Sequence, residues 1–244
     1  MDKDIINYII LATLPGLIWL LFFLKKDVLP EPKRQIIKVF ICGFFVSIPV
    51  VIFELYLLKE LGTLNLPEKN FLLIKGIFVI GLIEELFKYV AARYSILKSS
   101  HIDEPIDIPL YMIIAALGFA TAENLIIFCY GQTFPTFSDS LILAFTRFIT
   151  STLLHALASG IIGLFLALAF YNTKFRKILI LIGFSLGILT HALFNFFLEP
   201  SIIKETTGEW GSSSLYSLFI VFFLFIVLSL FLKKIKKIKG VCKI

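Results

Sequence analysis

The chain has 244 residues, of which 59% are hydrophobic and 16% charged, with 27 phenylalanines and a formal net charge of +6. Soluble domains carry about 25% charged residues, and a mean hydropathy of +0.95 excludes a water-soluble globular domain. A membrane crossing needs about 20 mainly apolar residues, so the composition points to an all-α, polytopic membrane helix bundle.

About seven transmembrane helices are predicted, over residues 5–24, 36–58, 71–92, 110–130, 141–171, 178–198 and 215–232. The first follows MDKD, which has no net positive charge, and precedes Lys25 and Lys26 instead of a small-residue cleavage site. It is therefore expected to stay as an anchor, not to leave as a signal peptide. The Lys-Lys-Asp-Val-Leu-Pro-Glu-Pro loop after it has two prolines flanking Glu31 and reads as an extended turn. The fifth crossing is long enough to tilt or to project beyond the membrane. The polar, Gly/Ser-rich stretch 199–214 is the longest loop beside 93–109, and it is a candidate substrate-sensing or gating element. Neither loop is long enough to fold alone, so one integral-membrane domain spans residues 1–244.

Sixteen of the 23 lysines and arginines fall on one side of these crossings and five on the other. The positive-inside rule then sets the N-terminus outside and the C-terminus in the cytoplasm. The C-terminal run KKIKKIKGVCK is expected to lie against anionic lipid, which accounts for the net charge without a nucleic-acid partner. Cys42, Cys129 and Cys242 have no metal or redox spacing and read as apolar fillers or tail residues. Nineteen lysines against four arginines, with abundant Ile and Phe, suggest an AT-rich, prokaryotic genome and hence a multi-pass protein of a prokaryotic cell membrane.

Four crossings contain side chains that lipid rejects. The third has Glu84, Glu85 and Lys88; the fourth Glu123 and Asn124; the fifth Arg147 and His155; the sixth His191 and Asn195. An ionisable side chain at bilayer centre costs roughly 2.5–3.5 kcal/mol on insertion scales, and it usually faces a cavity or a partner. Helical spacing puts Glu84 and Lys88 on one face, Arg147, Ser151 and His155 on another, and Gly183, Gly187, His191 and Asn195 on a third. The two glycines predict a close helix contact leading to polar chemistry. Duller readings exist for several: a Glu85–Lys88 structural bridge, Arg147 as a counter-ion, Asn124 bonded to a neighbouring helix, and Glu54 at the membrane interface. Three glutamates against Lys88 and Arg147 leave one negative charge over, so a proton is expected to be shared within the cluster.

Such a set suits hydrolysis, which needs a confined water, a base, and donors for the developing oxyanion. His191 and Asn195 could aim donors at one oxygen. No Gly-x-Ser-x-Gly elbow and no His-Glu-x-x-His zinc motif is present. Glutamates and histidines could still assemble a metal site across helices, but the expectation is that no metal or cofactor is used. The alternatives are a proton-coupled transporter, which the ionisable groups would serve as a relay, and a non-catalytic membrane sensor. No inverted repeat supports the transporter.

Glu84-Glu85-Leu-Phe-Lys88 resembles the EExxK motif of the PrsW family of glutamic-type intramembrane proteases. Phe119-Ala-Thr-Ala-Glu123-Asn124 is similar to that family's second motif, and His155 and His191-Ala-Leu-Phe-Asn195 to its later ones. The Pro-Glu-Pro after the first crossing is similar to its N-terminal loop, so the resemblance runs from about residue 30 to 198. In the wider superfamily of CAAX-processing and bacteriocin-immunity proteases the second motif usually carries His where this chain has Glu123. The resemblance implies Glu84 as general base and Glu85 as its tuning partner through Lys88, although the residues themselves leave the order of the two glutamates open. It further implies that Glu123 shares the water or proton, that His191 and Asn195 form an oxyanion hole, and that His155 lines the site. It implies a membrane-anchored protein substrate, with single-span anti-sigma factors as the associated class.

Overall fold

The computed structural model describes residues 2–27, 29–131, 134, 136–205 and 212–235. All regular structure among them is helical: α1 (Asp2–Leu24), α2 (Lys33–Gly62), α3 (Glu68–Ile74), α4 (Leu82–Ala92), α5 (Asp107–Ile126), α6 (Phe137–Ile149), α7 (Ser151–Tyr171), α8 (Arg176–Glu205) and α9 (Ser212–Ile235). Short π-helical segments, Lys75–Gly81 and Arg93–Leu97, join α3 to α4 and extend α4, and a third, Ile127–Gly131, extends α5. Six stretches are long and apolar enough to cross a membrane. The remaining predicted crossing falls on α3 through Leu97, which is not among these six and carries Lys75, Glu84, Glu85 and Lys88. The helical bundle expected from composition is therefore what the chain forms.

α5 is the axle. It is buried from Asp107 to Ala122, because Ala115, Ala116, Gly118, Ala120 and Ala122 leave room for neighbours on every side. A Cβ on Gly43 would collide with the Ala115 carbonyl, and one on Gly118 with the Phe40 carbonyl, so α2 and α5 meet backbone to backbone. Lipid gives no hydrophobic drive between helices, and such small-residue contacts supply the dispersion that holds them. Large side chains point the other way: Phe45, Ile52, Leu181, Phe219 and Phe222 are exposed on the periphery. The glycine stripe of the sixth crossing behaves as its spacing predicts, with Gly183 against Phe165 and Gly187 against Ile162 of α7.

α2, the Lys75–Gly81 segment with α4, α8, α7 and α5 pack in turn to close a ring. Gly81 lets α8 come in close: a Cβ there would lie 2.9 Å from the Gly76 carbonyl oxygen and 3.1 Å from that of Ile188. A π turn widens the helix locally and is often found beside functional sites. Here it leads directly into the first turn of α4, where Glu84 and Glu85 stand.

Three features differ from the sequence reading. The long fifth crossing is not one tilted helix but α6 and α7, interrupted at Thr150 (φ −113°, ψ −92°) without proline or glycine. The Trp19 indole of α1 donates to the Phe148 carbonyl at 2.8 Å, giving a partner to a carbonyl at the interruption. Second, α8 continues as helix to Glu205, into the stretch read as a loop; the rest of that loop's core, 206–211, lies outside the described residues, as does the basic tail from Lys236. Third, α2 runs to Gly62, so Glu54 stands two turns inside the end of the helix. Glu31 also turns inward, where the Tyr111 hydroxyl donates to its Oε2 at 2.6 Å, and this ties the Pro-Glu-Pro turn to α5. Cys42 and Cys129 are free thiols, and Cys242 lies outside the described residues.

Candidate active site

α4 presents three charged side chains on its first two turns: Glu84, Glu85 and Lys88 are 6%, 0% and 0% exposed. The Lys88 ammonium donates to Glu84 Oε2 at 2.9 Å, to Glu85 Oε1 at 2.8 Å and lies 2.7 Å from His155 Nδ1. An ammonium has three protons, and three acceptors are present. With Lys88 as donor, His155 Nδ1 must accept, so the ring's proton sits on Nε2 and points to Glu123 Oε2, 2.9 Å away. The Phe119 face covers the ammonium, its centroid 4.4 Å from Nζ, which adds a cation–π attraction in a dry setting.

Glu85 is saturated. Besides Lys88, its Oε1 lies 3.0 Å from His191 Nδ1, and its Oε2 accepts from the Ser159 hydroxyl at 2.6 Å. Glu84 is not: its contacts among the described residues all run through Oε2, at 2.9 Å to Lys88, 3.5 Å to His155 Nδ1 and 3.7 Å to His191 Nε2. The two imidazoles meet edge to face with centroids 5.0 Å apart.

Glu123, whose side chain is 31% exposed, forms the open side of the cluster and faces Arg147 Nη2 at 3.1 Å. Arg147 reaches it from α6, and its Nε donates to Asn124 Oδ1. Asn124 in turn donates to the Ala12 carbonyl and to Thr152 Oγ1, both at 3.2 Å. The interruption at Thr150 separates Arg147 from the His155 helix, so the expected Arg147–Ser151–His155 stripe is not one continuous face. Asn195 follows His191 by one turn of α8, is half-buried, and makes no hydrogen bond among the described residues. The structure thus gathers Glu84, Glu85, Lys88, Glu123, His155 and His191, places Asn124 and Arg147 directly behind them, and leaves Asn195 at the rim.

The sequence reading did not name Ser159 or Thr152, named Phe119 only as part of a motif, and gave Glu54 only a place at the interface. Ser159 lies four residues beyond His155, so extending the polar stripe by one turn would have found it. Glu54 carries a buried Oε1 with no hydrogen-bond partner among the described residues, and the charges of Glu84, Glu123 and Lys88 act on it.

Carboxylates, imidazoles and an ammonium brought together from four crossings inside an all-helical bundle define a multi-pass membrane protein with a largely buried ionisable cluster. Comparison with known proteins makes that class specific. The family model described as "PrsW family intramembrane metalloprotease" matches residues 31–229, and the chain belongs to this family of intramembrane proteases. A Protease PrsW of Oceanobacillus iheyensis is 28% identical over 185 residues, covering 76% of this chain and 80% of the relative. Proteases PrsW of Clostridioides difficile and Bacillus subtilis are 29% and 27% identical, over 79% and 75% of this chain and 79% of each relative. No solved structure matches the chain.

The family description implies a metal. Ligand atoms of Glu84, His155 and His191, all buried, lie within 4.8 Å of one another, and two imidazoles with a carboxylate are donors that suit zinc. The arrangement fits poorly all the same. Lys88 Nζ is within 2.9 Å of Glu84 Oε2 and His155 Nδ1, so a dication bound through those atoms would compete with the ammonium and be repelled by it. The positive charge at this spot is already supplied by the chain.

Proposed function

We propose that this chain is a glutamic-type intramembrane endopeptidase that hydrolyses a peptide bond of a membrane-anchored protein, with Glu84 as the base. The observation carrying this reading is the asymmetry of the two glutamates: Glu85 has both oxygens committed, whereas Glu84 Oε1 takes no hydrogen bond among the described residues. Glu84 takes a proton from a water, the resulting hydroxide attacks the scissile carbonyl, and the proton passes to the leaving amine as the C–N bond breaks. Glu85 orients Lys88 and His191. His191 already faces Glu85 through Nδ1, so donation to an oxyanion from Nε2 requires the doubly protonated ring, with Glu85 as its counter-ion. Asn195 supplies the second donor, and Glu123 with His155 relays protons on the open side.

Helical rise supports cleavage at depth. Glu84 is sixteen residues from Glu68 and thirteen from Leu97, roughly 24 Å and 20 Å along the axis. Topology is proposed as N-terminus outside and C-terminus cytoplasmic, from the bias of basic residues, within a single membrane-embedded domain. A single-span anti-sigma factor is the substrate class proposed from the sequence resemblance.

The test compares purified wild type with Glu84→Gln on single-span substrates, with and without a chelator. Loss of a general base costs about 10²–10⁴-fold, so Glu84→Gln is expected to fall by that amount and wild type to resist the chelator. The clustering of Glu84, His155 and His191 favours one competing reading, a zinc enzyme. Activity abolished by chelator and restored by zinc would establish it and overturn the metal-free mechanism.

A further inference from the structure

Of the five helices that close the ring, four place an ionisable group toward the cluster that the proposed mechanism uses, and α2 places one that it does not. Val46, Val50, Glu54 and Leu57 share one face of α2, and Val50 packs with Ile83 and Phe119. Ile83 precedes Glu84, and Phe119 stands one turn before Glu123. Glu54, one turn beyond Val50, therefore stands on the α2 face turned toward Ile83 and Phe119, and the charges of Glu84, Glu123 and Lys88 act on it. Its residue is half-buried, and Oε1 is buried with no hydrogen-bond partner among the described residues. Lys88, Glu85 and Asn124 are bonded into the fold, but the fold makes no such use of Glu54.

Intramembrane hydrolysis creates a need for such a group. A substrate helix must unwind before a peptide bond can be reached, and unwinding frees backbone N–H and C=O groups where no bulk water can satisfy them. A carboxyl group on the wall, beside the base but not consumed by it, can accept from a freed N–H. When protonated it can also donate to a freed carbonyl.

We propose that Glu54 is a substrate-binding residue of this site, whose carboxyl group hydrogen-bonds the unwound substrate backbone next to the bond that Glu84 hydrolyses. This rests on the protease reading above. Glu54 acts on binding and not on the proton transfers, so its loss separates KM from kcat.

The experiment uses the full-length chain in liposomes with a cleavable single-span substrate. Glu54→Leu is expected to raise KM at least about tenfold with a smaller change in kcat, and Glu54→Gln, which keeps both an acceptor and a donor, to restore most of the binding. In the Glu84→Gln background, where turnover does not intervene, adding Glu54→Leu should weaken binding of the uncleaved substrate by the same factor. Thermal unfolding should be unchanged, since leucine fits between Val50 and Leu57. If Glu54→Leu does not fold, Glu54→Ala takes its place. Wild-type KM and wild-type affinity in these variants, with Glu84→Gln inactive, would overturn the Glu54 assignment alone. Wild type and Glu84→Gln cleaving equally would overturn the protease reading and this proposal with it.

Discussion

Lys88 is the residue on which the cluster's geometry turns, because one ammonium group satisfies acceptors from two glutamates and a histidine. Removing one partner of a buried ionic network costs about 3–5 kcal/mol by leaving the others uncompensated. Lys88→Met is accordingly expected to lower stability by that amount and to abolish cleavage, as read by thermal unfolding in detergent and by turnover. Lys88→Arg should not rescue it, since a planar guanidinium cannot address three acceptors arranged around a point charge. Ser159 acts more modestly. Its hydroxyl donates to a carboxylate that is fully buried, and leaving such an acceptor unsatisfied costs about 1–3 kcal/mol. Ser159→Ala should therefore unfold earlier and cleave more slowly while remaining active. A Ser159→Ala chain as stable and as fast as wild type would show that Glu85 does not depend on this bond.

At the scale of elements, the distance between His155 and His191 is set by how closely α7 and α8 approach. A Cβ on Gly187 would meet Ile162 Cγ1 at 2.5 Å and the Ala158 carbonyl oxygen at 3.0 Å. Gly187→Val must push the helices apart, at a cost of about 1–3 kcal/mol for overpacking. It should also lower activity although residue 187 lies one turn from the chemistry. Equal rates in the two proteins would show that the imidazoles need no such spacing. The Pro-Glu-Pro turn makes a pH-dependent link between α1, α2 and α5. Burial raises the Glu31 carboxyl above its ordinary value of 4.5; the Tyr111 hydroxyl and Asp107 offset this in part, and Asp27 and Asp103 add to it. The folded chain therefore binds this proton more tightly than the unfolded one. Its stabilising contribution is complete below pH 4.5 and is lost as pH rises through the higher folded value. Glu31→Gln should flatten the fall in melting temperature across that window, and an unchanged slope would assign the effect to other groups.

Across the whole molecule, the basic residues at the helix ends make a topology prediction that the fold itself leaves open. Reporters fused after Lys26 and after Tyr171 should report cytoplasm, and one fused after Gly62 the outside. The reverse pattern would refute the proposed orientation and with it the side of the membrane toward which Glu123 opens. The same scale explains why the centre can exist in lipid at all. α5 fills the middle with small residues and leaves the charges of the cluster facing partners inside a closed ring, so they are not left to meet hydrocarbon alone.

Hydropathy and spacing were enough to read an all-helical membrane bundle of six to seven apolar helices, because a bilayer imposes a length and an apolarity on the segments that cross it. They were also enough to single out Glu84, Glu85, Lys88, Glu123, His155 and His191, since several ionisable residues within separate apolar runs are costly unless they face a cavity or one another. Spacing along a helix says nothing about which side chains from different helices meet. That is why Ser159, common in form and silent by itself, and Glu54, which looked interfacial, emerged only once α2, α4 and α7 were packed. The interruption at Thr150 was invisible for a related reason: it coincides with no helix-breaking residue in α6 or α7, and an indole from α1 meets it. The division between Glu84 and Glu85 follows the same rule. Two adjacent glutamates are chemically identical in sequence, and only the donors that the tertiary fold brings to each distinguish Glu85, bonded through both oxygens, from Glu84, bonded through one among the described residues.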